Sequence, residues 1–206
     1  MRALLNPLRS ADDVFEIAVS TSTEAQSLAV HLRQSPLAED VVAGLSSVAV
    51  RFHPDHFEQV KDWLSQVKRA PDEAVKAPEM IELDIQYGGV NGPDFDHVCA
   101  ALGLSSSAFI EAHTAPLHTV EMIGFTPGFS YISGLPNGMV IPRLAEPRPR
   151  VRAGSVGLSS GCTGIYALAG PGGWPLIGHT EAALFNPDRS DPFLLQPGQP
   201  VKFRAV

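Results

Sequence analysis

The chain has 206 residues, of which 44% are hydrophobic and 18% are charged, and its formal net charge is −7. This length suits one large domain or two small ones, each with a core of ordinary size. The acidic balance argues against nucleic-acid binding, which requires a basic surface. No apolar run approaches the ~20 residues of a membrane-spanning helix.

The first residues of the sequence are not expected to act as a secretory signal. Residues 1–13 lack the apolar segment of a secretory signal peptide. The two cysteines, Cys99 and Cys162, form no CxxC pair, and this sparse usage fits a reducing compartment. We therefore expect a cytoplasmic protein with no membrane partner and no nucleic-acid partner.

The first part of the chain begins with a predicted strand and helix. Residues 14–19, Val-Phe-Glu-Ile-Ala-Val, are predicted to form a strand. Thr21 and Glu24 then have the spacing of a capping box, which marks the start of a helix. Apolar residues recur at helical spacing over 25–32, so this helix has one apolar face.

Further strands and a second helix complete a first domain. Two short strands are predicted within 41–52, a second amphipathic helix over 57–67, and an alternating strand over 81–87. The order β-α-β-β-α-β is typical of a ferredoxin-like domain. We place this domain at residues 1–86, with residues 68–73 as a loop within it.

Two short helices are predicted next. A turn cluster leads into a helix with Asp94 near its start, where a carboxylate suits the helix dipole. Cys99 lies on the apolar face of this helix and is expected in the core, and Gly103 can end the helix. A second helix is predicted over residues 105–112.

The rest of the chain is rich in turns. Residues 116–206 hold 13 of the 18 glycines and 12 of the 18 prolines. Short strands and tight turns from Thr119 onward predict an all-β barrel or sandwich, and residues 201–206 form its closing strand. We place this second domain at residues 87–206, with the short helices at its start.

The stretch GFTPGFSYISGLP, residues 124–136, is unusually rich in glycine, proline and aromatic residues. Its glycines permit positive φ and close backbone approach, and Pro127 stiffens the turn. Phe125, Phe129 and Tyr131 offer flat surfaces on a rigid loop, which suits a binding groove or an interface anchor. The alternative is a barrel corner whose rings fill the core, and this interpretation is favoured for Phe125 alone.

Four arginines stand on a proline-rich segment of this acidic chain: Arg143, Arg148, Arg150 and Arg152. Guanidinium groups bind carboxylates and phosphates bidentately, so the segment is a candidate anion-binding element. The alternative is an extended sheet edge that charge and proline protect from aggregation.

Two glycine-containing loops are further candidates. The loops at 154–157, with Ser155, and at 159–164, with Cys162 and Thr163, can offer backbone N–H groups to an anion. Neither has the lysine and spacing of a Walker A loop, and ordinary tight turns are the favoured interpretation. Cys162 is a candidate nucleophile if a histidine lies nearby, although a lone loop cysteine usually has no catalytic role.

Histidine and tryptophan supply the last candidates. His53 and His56 form an HxxH pair that can share a metal ion. No third or fourth ligand is evident, so we interpret the pair as a solvated helix end and predict no metal site. Trp174 lies in a sharp turn, where its indole either anchors a partner or plugs the barrel end.

Seven motifs occur in one order along the chain. They are Tyr87-Gly-Gly, Gly92-Pro-Asp94, Gly124-Phe-x-Pro-Gly-Phe-x-Tyr131, Pro147-Arg-x-Arg150, Gly154-Ser-Val-Gly157, Thr163-Gly-Ile-Tyr166 and Pro171-Gly-Gly-Trp174-x-Leu-Ile-Gly178. This set resembles the allophanate hydrolase subunit 1 family, also called the B subunit of bacterial 5-oxoprolinase, which includes the kinase inhibitor KipI. The resemblance covers essentially the whole chain and is sharpest over residues 87–185.

The resemblance implies both a fold and a function. The implied fold is α+β, with an N-terminal ferredoxin-like α/β domain followed by a cyclophilin-like β-barrel domain. The implied function is that of a subunit, inactive alone, of a heteromeric ATP-dependent 5-oxoprolinase that opens 5-oxoproline to glutamate. The expected partners are a companion that resembles allophanate hydrolase subunit 2 or the C subunit of 5-oxoprolinase, and a third oxoprolinase subunit. ATP is expected to be held by the complex.

Two alternative functions remain open: a KipI-like inhibitor of a histidine kinase, and a subunit of an allophanate hydrolase or urea carboxylase pathway. No catalytic residue is assigned. The candidate groove for substrate or partner comprises Phe125, Pro127, Phe129, Tyr131, Arg143, Arg148, Arg150, Ser155, Cys162, Thr163, Tyr166, Trp174 and His179.

The chain departs from the family pattern at several positions. Cys162 stands where the family usually has Gln, His179 where it usually has Arg, and His118 where an aromatic residue is common. His113 matches a histidine common in the family, with a structural or a partner-facing role. If the usual Gln and Arg contact substrate or partner, the activity of this chain differs in detail.

Overall fold

The computed structural model describes residues 5–67 and 79–206. Residues 68–73, predicted as a loop, lie outside the described part of the chain. The chain divides into two compact units, Met1–Lys76 and Ala77–Val206. None of the helices in the described ranges is long and apolar enough to cross a membrane.

The first unit is an antiparallel sheet with two helices. Its elements are β1 (Pro7–Ala11), β2 (Val14–Ala18), α1 (Ser22–Leu32), β3 (Asp40–Ala43), β4 (Ser47–Arg51) and, after a 3-10 turn at Pro54–His56, α2 (Phe57–Gln66). The sheet order is β1-β2-β4-β3. Alternate strand residues such as Ile17 and Val48 are buried together with Leu28 of α1 and Leu64 of α2, and they form the core of this unit.

The second unit is built around a closed barrel. Its elements are β5 (Ile81–Tyr87), α3 (Phe95–Leu102), α4 (Ser106–Thr114), β6 (His118–Ile123), β7 (Ser130–Ser133), β8 (Arg148–Val151), β9 (Ser155–Ser159), β10 (Cys162–Ile165), β11 (Gly170–Gly172), β12 (Leu176–His179) and β13 (Pro200–Ala205). The barrel order is β10-β7-β6-β13-β5-β12-β9, and β8 pairs with β11 in a separate ribbon. The pair β5 and β13 is parallel, and the other barrel pairs are antiparallel.

The predicted α+β class, a sheet with helices followed by a β-barrel, is confirmed. One element was assigned to the wrong domain. The strand predicted over 81–87 is present, but it pairs with β13 and β12 in the barrel. The fourth strand of the first sheet is instead β1, a largely exposed strand. Alternating polarity identifies a strand with one buried face, but it does not identify the core that the face joins.

The second unit has two separate apolar clusters. The larger fills the barrel and includes Ile85, Val120, Ile132, Leu158 and Phe203. The smaller is aromatic and consists of Phe129, Val151, Tyr166, Trp174 and Leu176. The candidate site is built on this aromatic cluster.

Candidate binding pocket

A pocket of about 270 Å³ opens at the aromatic cluster of the second unit. Six of the predicted groove residues line it: Phe125, Phe129, Tyr131, Arg143, Tyr166 and Trp174. Sequence reasoning missed five more: Leu144, Pro147, Pro171, Gly172 and Gly173. We call this site the aromatic pocket.

Phe129 is the centre of the aromatic pocket. Its ring makes edge-on contacts with the rings of Phe125, Tyr131, Tyr166 and Trp174, at centroid separations of 4.9 to 5.7 Å. Phe129, Tyr166 and Trp174 are buried. Edge-to-face packing of this kind is favourable beyond the area that it buries, so the inner wall of the pocket is rigid.

Glycines allow the inner wall to form. Gly157 of β9 and Gly164 of β10 are paired in register, and Trp174 lies directly against both. A Cβ at position 164 would lie 2.6 Å from Cζ3 of Trp174 and 2.8 Å from Cζ of Phe129. A Cβ at Gly172 would lie 2.5 Å from the hydroxyl oxygen of Tyr166. These glycines belong to the sequence motifs at 154–157, 163–166 and 171–178.

Phe125 lies at the rim of the aromatic pocket. The expectation that its ring fills the core is wrong, because Phe125 is 64% exposed. The turn is closed by hydrogen bonds from the N–H of Gly124 to the carbonyl of Phe129 and from the N–H of Phe129 to the carbonyl of Thr126. Within this turn Phe125, and not Gly124, has a positive φ of 72°. A bulky residue in this conformation is strained, and such strain is concentrated at functional sites.

Among the described residues, Arg143 is the one charged residue that lines the aromatic pocket. It is exposed, and within residues 5–67 and 79–206 no carboxylate forms an ion pair with it. Burial raises the pKa of Tyr131 and the pKa of Tyr166, and the nearby Arg143 charge offsets part of each increase. Both phenols therefore stay protonated at neutral pH and remain hydrogen-bond donors.

The remaining arginines of the segment lie outside the aromatic pocket. Arg148 donates to the carboxylate of Asp94 at 2.8 Å, and Asp94 also accepts from the N–H of Leu176 at 2.6 Å. Asp94 precedes α3 as expected, but its side chain makes no hydrogen bond that caps the helix. Arg150 is exposed on β8, and Arg152 donates to the amide oxygen of Asn91 at 2.9 Å. Arg148 is thus held in an ion pair within the second unit, and the anion-binding and edge-strand interpretations of the segment both stay predictions.

Ser155 and Thr163 are buried in the barrel wall. The hydroxyl oxygen of Thr163 lies 2.8 Å from Nε2 of His113, and Nδ1 of His113 lies 2.6 Å from the hydroxyl oxygen of Tyr87. The His113 ring stacks on Phe203 at a centroid separation of 4.7 Å. Burial lowers the pKa of His113 to about 3. His113 is thus an internal structural residue and is not available to a partner.

His179 lies in a different cleft, of about 400 Å³, together with Arg152, Thr180 and Glu181. Its Nε2 lies 2.9 Å from the carbonyl oxygen of Ala153, and its Nδ1 lies 3.2 Å from the Glu181 carboxylate. The structure therefore does not bring His179 into the aromatic pocket.

The remaining candidates, Cys162 and Pro127, do not line the aromatic pocket. Cys162 is half-buried against the aromatic cluster, and burial, with a contribution from Glu121, raises the pKa of its thiol. A protonated thiol is a poor nucleophile, so catalysis by Cys162 is not supported. Pro127 lies in the loop of Phe125 but does not line the pocket. In the described part of the chain, no group of three or more His, Cys, Asp or Glu side chains is placed to hold a metal ion.

Comparison with known proteins places the chain in a family. Residues 9–195 match the carboxyltransferase domain family, subdomains C and D, and the chain belongs to that family. It is 39% identical over 182 residues to the B subunit of 5-oxoprolinase from Escherichia coli, covering 85% of this chain and 82% of the relative. It is also 39% identical over 168 residues to the B subunit of 5-oxoprolinase from Haemophilus influenzae, covering 80% and 78%.

Solved structures share the fold. The crystal structure of TTHA0988 matches 94% of this chain with a TM-score of 0.78 and 31% identity, and this chain spans 40% of that longer chain. Kluyveromyces lactis urea carboxylase matches 98% of this chain with a TM-score of 0.76 but 15% identity, and this chain covers 22% of it. At that identity the likeness to urea carboxylase concerns the fold alone.

Proposed function

We propose that this chain is the B-type subunit of an ATP-dependent 5-oxoprolinase and that it is inactive alone. The observation that carries the proposal is its 39% identity, over 80 to 85% of its length, to two bacterial 5-oxoprolinase B subunits. In this complex the chain contributes a binding pocket, and other chains contribute the remaining chemistry.

The composition of the aromatic pocket supports a binding role. Opening a lactam requires a group that accepts a proton from water or from another nucleophile. The polar side chains lining the pocket are Arg143, Tyr131 and Tyr166. All three are donors at neutral pH, because the guanidinium is permanently charged and the pKa of each phenol is raised. Such a pocket can hold and polarise a substrate, but a base must come from outside it.

We propose that another subunit binds ATP, because the glycines of the loops at 154–157 and 159–164 do not offer a phosphate cradle. A phosphate loop needs several free backbone N–H groups that point at the anion. In the loop at 154–157, the N–H of Gly154 donates to the carbonyl of Tyr166 at 2.7 Å. Gly157 and Gly164 lie within the paired strands β9 and β10. These N–H groups are therefore not available to a phosphate.

We propose two partners: a companion that corresponds to the C subunit of 5-oxoprolinase, and a third oxoprolinase subunit. The relatives are each named as the B subunit of their enzyme, which supports a multi-subunit enzyme. The length of TTHA0988 also supports a companion, since this chain corresponds to 40% of that chain. We place the complex in the cytoplasm, which is consistent with two cysteines that are both unpaired.

A reconstitution experiment tests the proposed function. The chain is co-expressed with the companion and third subunits from its native host, and glutamate formation from 5-oxoproline is measured with and without ATP. We expect ATP-dependent glutamate formation by the full complex and none by this chain alone. A complex that assembles but forms no glutamate contradicts the proposal. Capture of a sensor kinase in place of these subunits, in a tagged pull-down from the host, favours the inhibitor alternative.

A further inference from the structure

We propose that the aromatic pocket of this chain binds the substrate ring itself, as a site for a small lactam that carries a carboxylate. This inference rests on the proposed function, because 5-oxoproline is the lactam carboxylate on which a 5-oxoprolinase acts. The ring lies against the aromatic wall, Arg143 binds the carboxylate, and Tyr131 donates to the lactam carbonyl.

The shape of the pocket suits a small flat ring. Pockets for drug-sized ligands have volumes of about 300–1,000 Å³, and the aromatic pocket, at about 270 Å³, is smaller. Its inner wall is formed by the edges and faces of Phe129, Tyr166 and Trp174, which are locked by mutual contact. A preformed wall loses little entropy when a ligand binds.

The charge at the rim selects an anion. The Arg143 guanidinium has no carboxylate partner within the described ranges, and Arg143 lines the pocket together with Tyr131 and Tyr166. Burial raises the pKa of both tyrosines, and the Arg143 charge offsets part of that increase. Guanidinium binds carboxylate through two parallel hydrogen bonds. Neighbouring Arg148 is already engaged by Asp94 at 2.8 Å. Nη1 of Arg148 is buried without a hydrogen-bond partner, but Arg148 does not line the pocket. Among the described arginines of this segment, Arg143 is therefore the one placed to meet a ligand carboxylate in the pocket.

A hydroxyl is available for the lactam carbonyl. The backbone N–H of Trp174 donates to the phenol oxygen of Tyr166, so that oxygen already has a partner. Tyr131 makes ring contacts with Phe129 and Trp174, and its hydroxyl has no hydrogen-bond partner in the described part of the chain. Since the phenol stays protonated, it donates to a carbonyl oxygen, which also polarises the bond that the reaction opens.

The test uses Trp174 as a reporter. The chain has two tryptophans, and Trp63→Phe leaves Trp174 as the single emitter. The emission of this full-length variant is titrated with 5-oxoproline, with 2-pyrrolidinone, which lacks the carboxylate, and with glutamate, which lacks the ring. Arg143→Gln, Tyr131→Phe and the matched control Arg150→Gln are each made in the same background, and their melting curves verify folding.

We expect a saturable change in Trp174 emission with 5-oxoproline, and weaker binding of 2-pyrrolidinone and glutamate. Arg143→Gln weakens 5-oxoproline binding at least about tenfold, as expected for a lost charge-assisted hydrogen bond, and it leaves 2-pyrrolidinone binding unchanged. Tyr131→Phe weakens binding of both lactams about two- to tenfold. Arg150→Gln changes the binding of neither lactam.

In the reconstituted complex, Arg143→Gln raises the KM for 5-oxoproline and Arg150→Gln does not. The inference is overturned if a complex with ATP-dependent turnover shows the same KM for both arginine variants, and the proposed function then stands. A different outcome is that the chain binds 5-oxoproline saturably and through Arg143, while its complex forms no glutamate. In that case the pocket is a lactam-carboxylate site and the proposed enzyme is wrong.

Discussion

Gly164 is the position where a single added methyl group should deform the aromatic pocket. The Cβ of Gly164→Ala would lie 2.6 Å from Trp174 and 2.8 Å from Phe129, against 3.4–4 Å for an ordinary contact. Overpacking of this size costs about 1–3 kcal/mol, and the reduced entropy of the unfolded chain returns about 0.4–1 kcal/mol. We therefore expect a net loss of about 1–2 kcal/mol, which for a chain of this length lowers Tm by about 2–8 °C.

The assay is thermal unfolding followed by Trp174 emission in the Trp63→Phe background, so that the signal comes from the second unit alone. Gly170→Ala is the matched control, because a Cβ at that β11 position meets no atom within 4 Å. The control should keep both Tm and the Trp174 emission maximum, whereas Gly164→Ala should change both. If the two variants melt alike with the same emission, the inner wall does not pack on Gly164 and the reasoning fails.

Three further outcomes are expected. His113 is neutral in the folded protein, because burial lowers its pKa to about 3 from 6.5. Its contribution to stability is therefore complete above pH 6.5 and decreases as pH falls toward 3, and the loss is about 2 kcal/mol by pH 5. In urea melts, the free energy of unfolding should change less between pH 7 and pH 5 for His113→Gln than for wild type. Asp94→Ala removes the acceptor from Arg148 and should cost about 1–3 kcal/mol in urea melts. Asp94→Asn, whose amide oxygen still accepts, should cost less. No loss for Asp94→Ala contradicts a role for this acceptor. Because its pKa is raised, the Cys162 thiol should react with iodoacetamide at pH 7.5 more slowly than a free thiol of ordinary pKa. Alkylation is measured by mass spectrometry, with Cys162→Ser as the control. Alkylation faster than that of the free thiol contradicts this prediction.

Local signals in the sequence predicted the local structure well. Thr21 and Glu24 were predicted to start α1, and the hydroxyl of Thr21 does accept from the N–H of Glu24 at 3.1 Å. Gly103 ends α3 in the left-handed conformation, at φ 68°. These features depend on residues within one turn of each other, so spacing alone determines them.

Features that depend on distant residues were harder to predict. Composition located the aromatic loop and the arginine segment, but it gave no means to separate Arg143 from Arg148. That difference depends on Asp94, which lies 54 positions from Arg148 in the chain. The exposure of Phe125 depends on which residue of a tight turn has positive φ. Because glycines flank it in the sequence, Phe125 was not expected to be the residue with positive φ. The strand at 81–87 shows the same limit, since its partner β13 lies near the other end of the barrel sequence.

The parallel pairing of β13 with β5 also bears on how the protein is made. Val201 is aligned with Ile81 and Ala205 with Ile85, and β13 also pairs with β6. Until residue 205 has left the ribosome, β5 and β6 each lack a neighbour, and the nascent barrel exposes two strand edges that can pair with other chains. Barrel closure therefore brings together residues far apart in sequence, and such steps are slow. The edges of β5 and β6 are thus the places where an incompletely folded barrel is open to pairing with other chains.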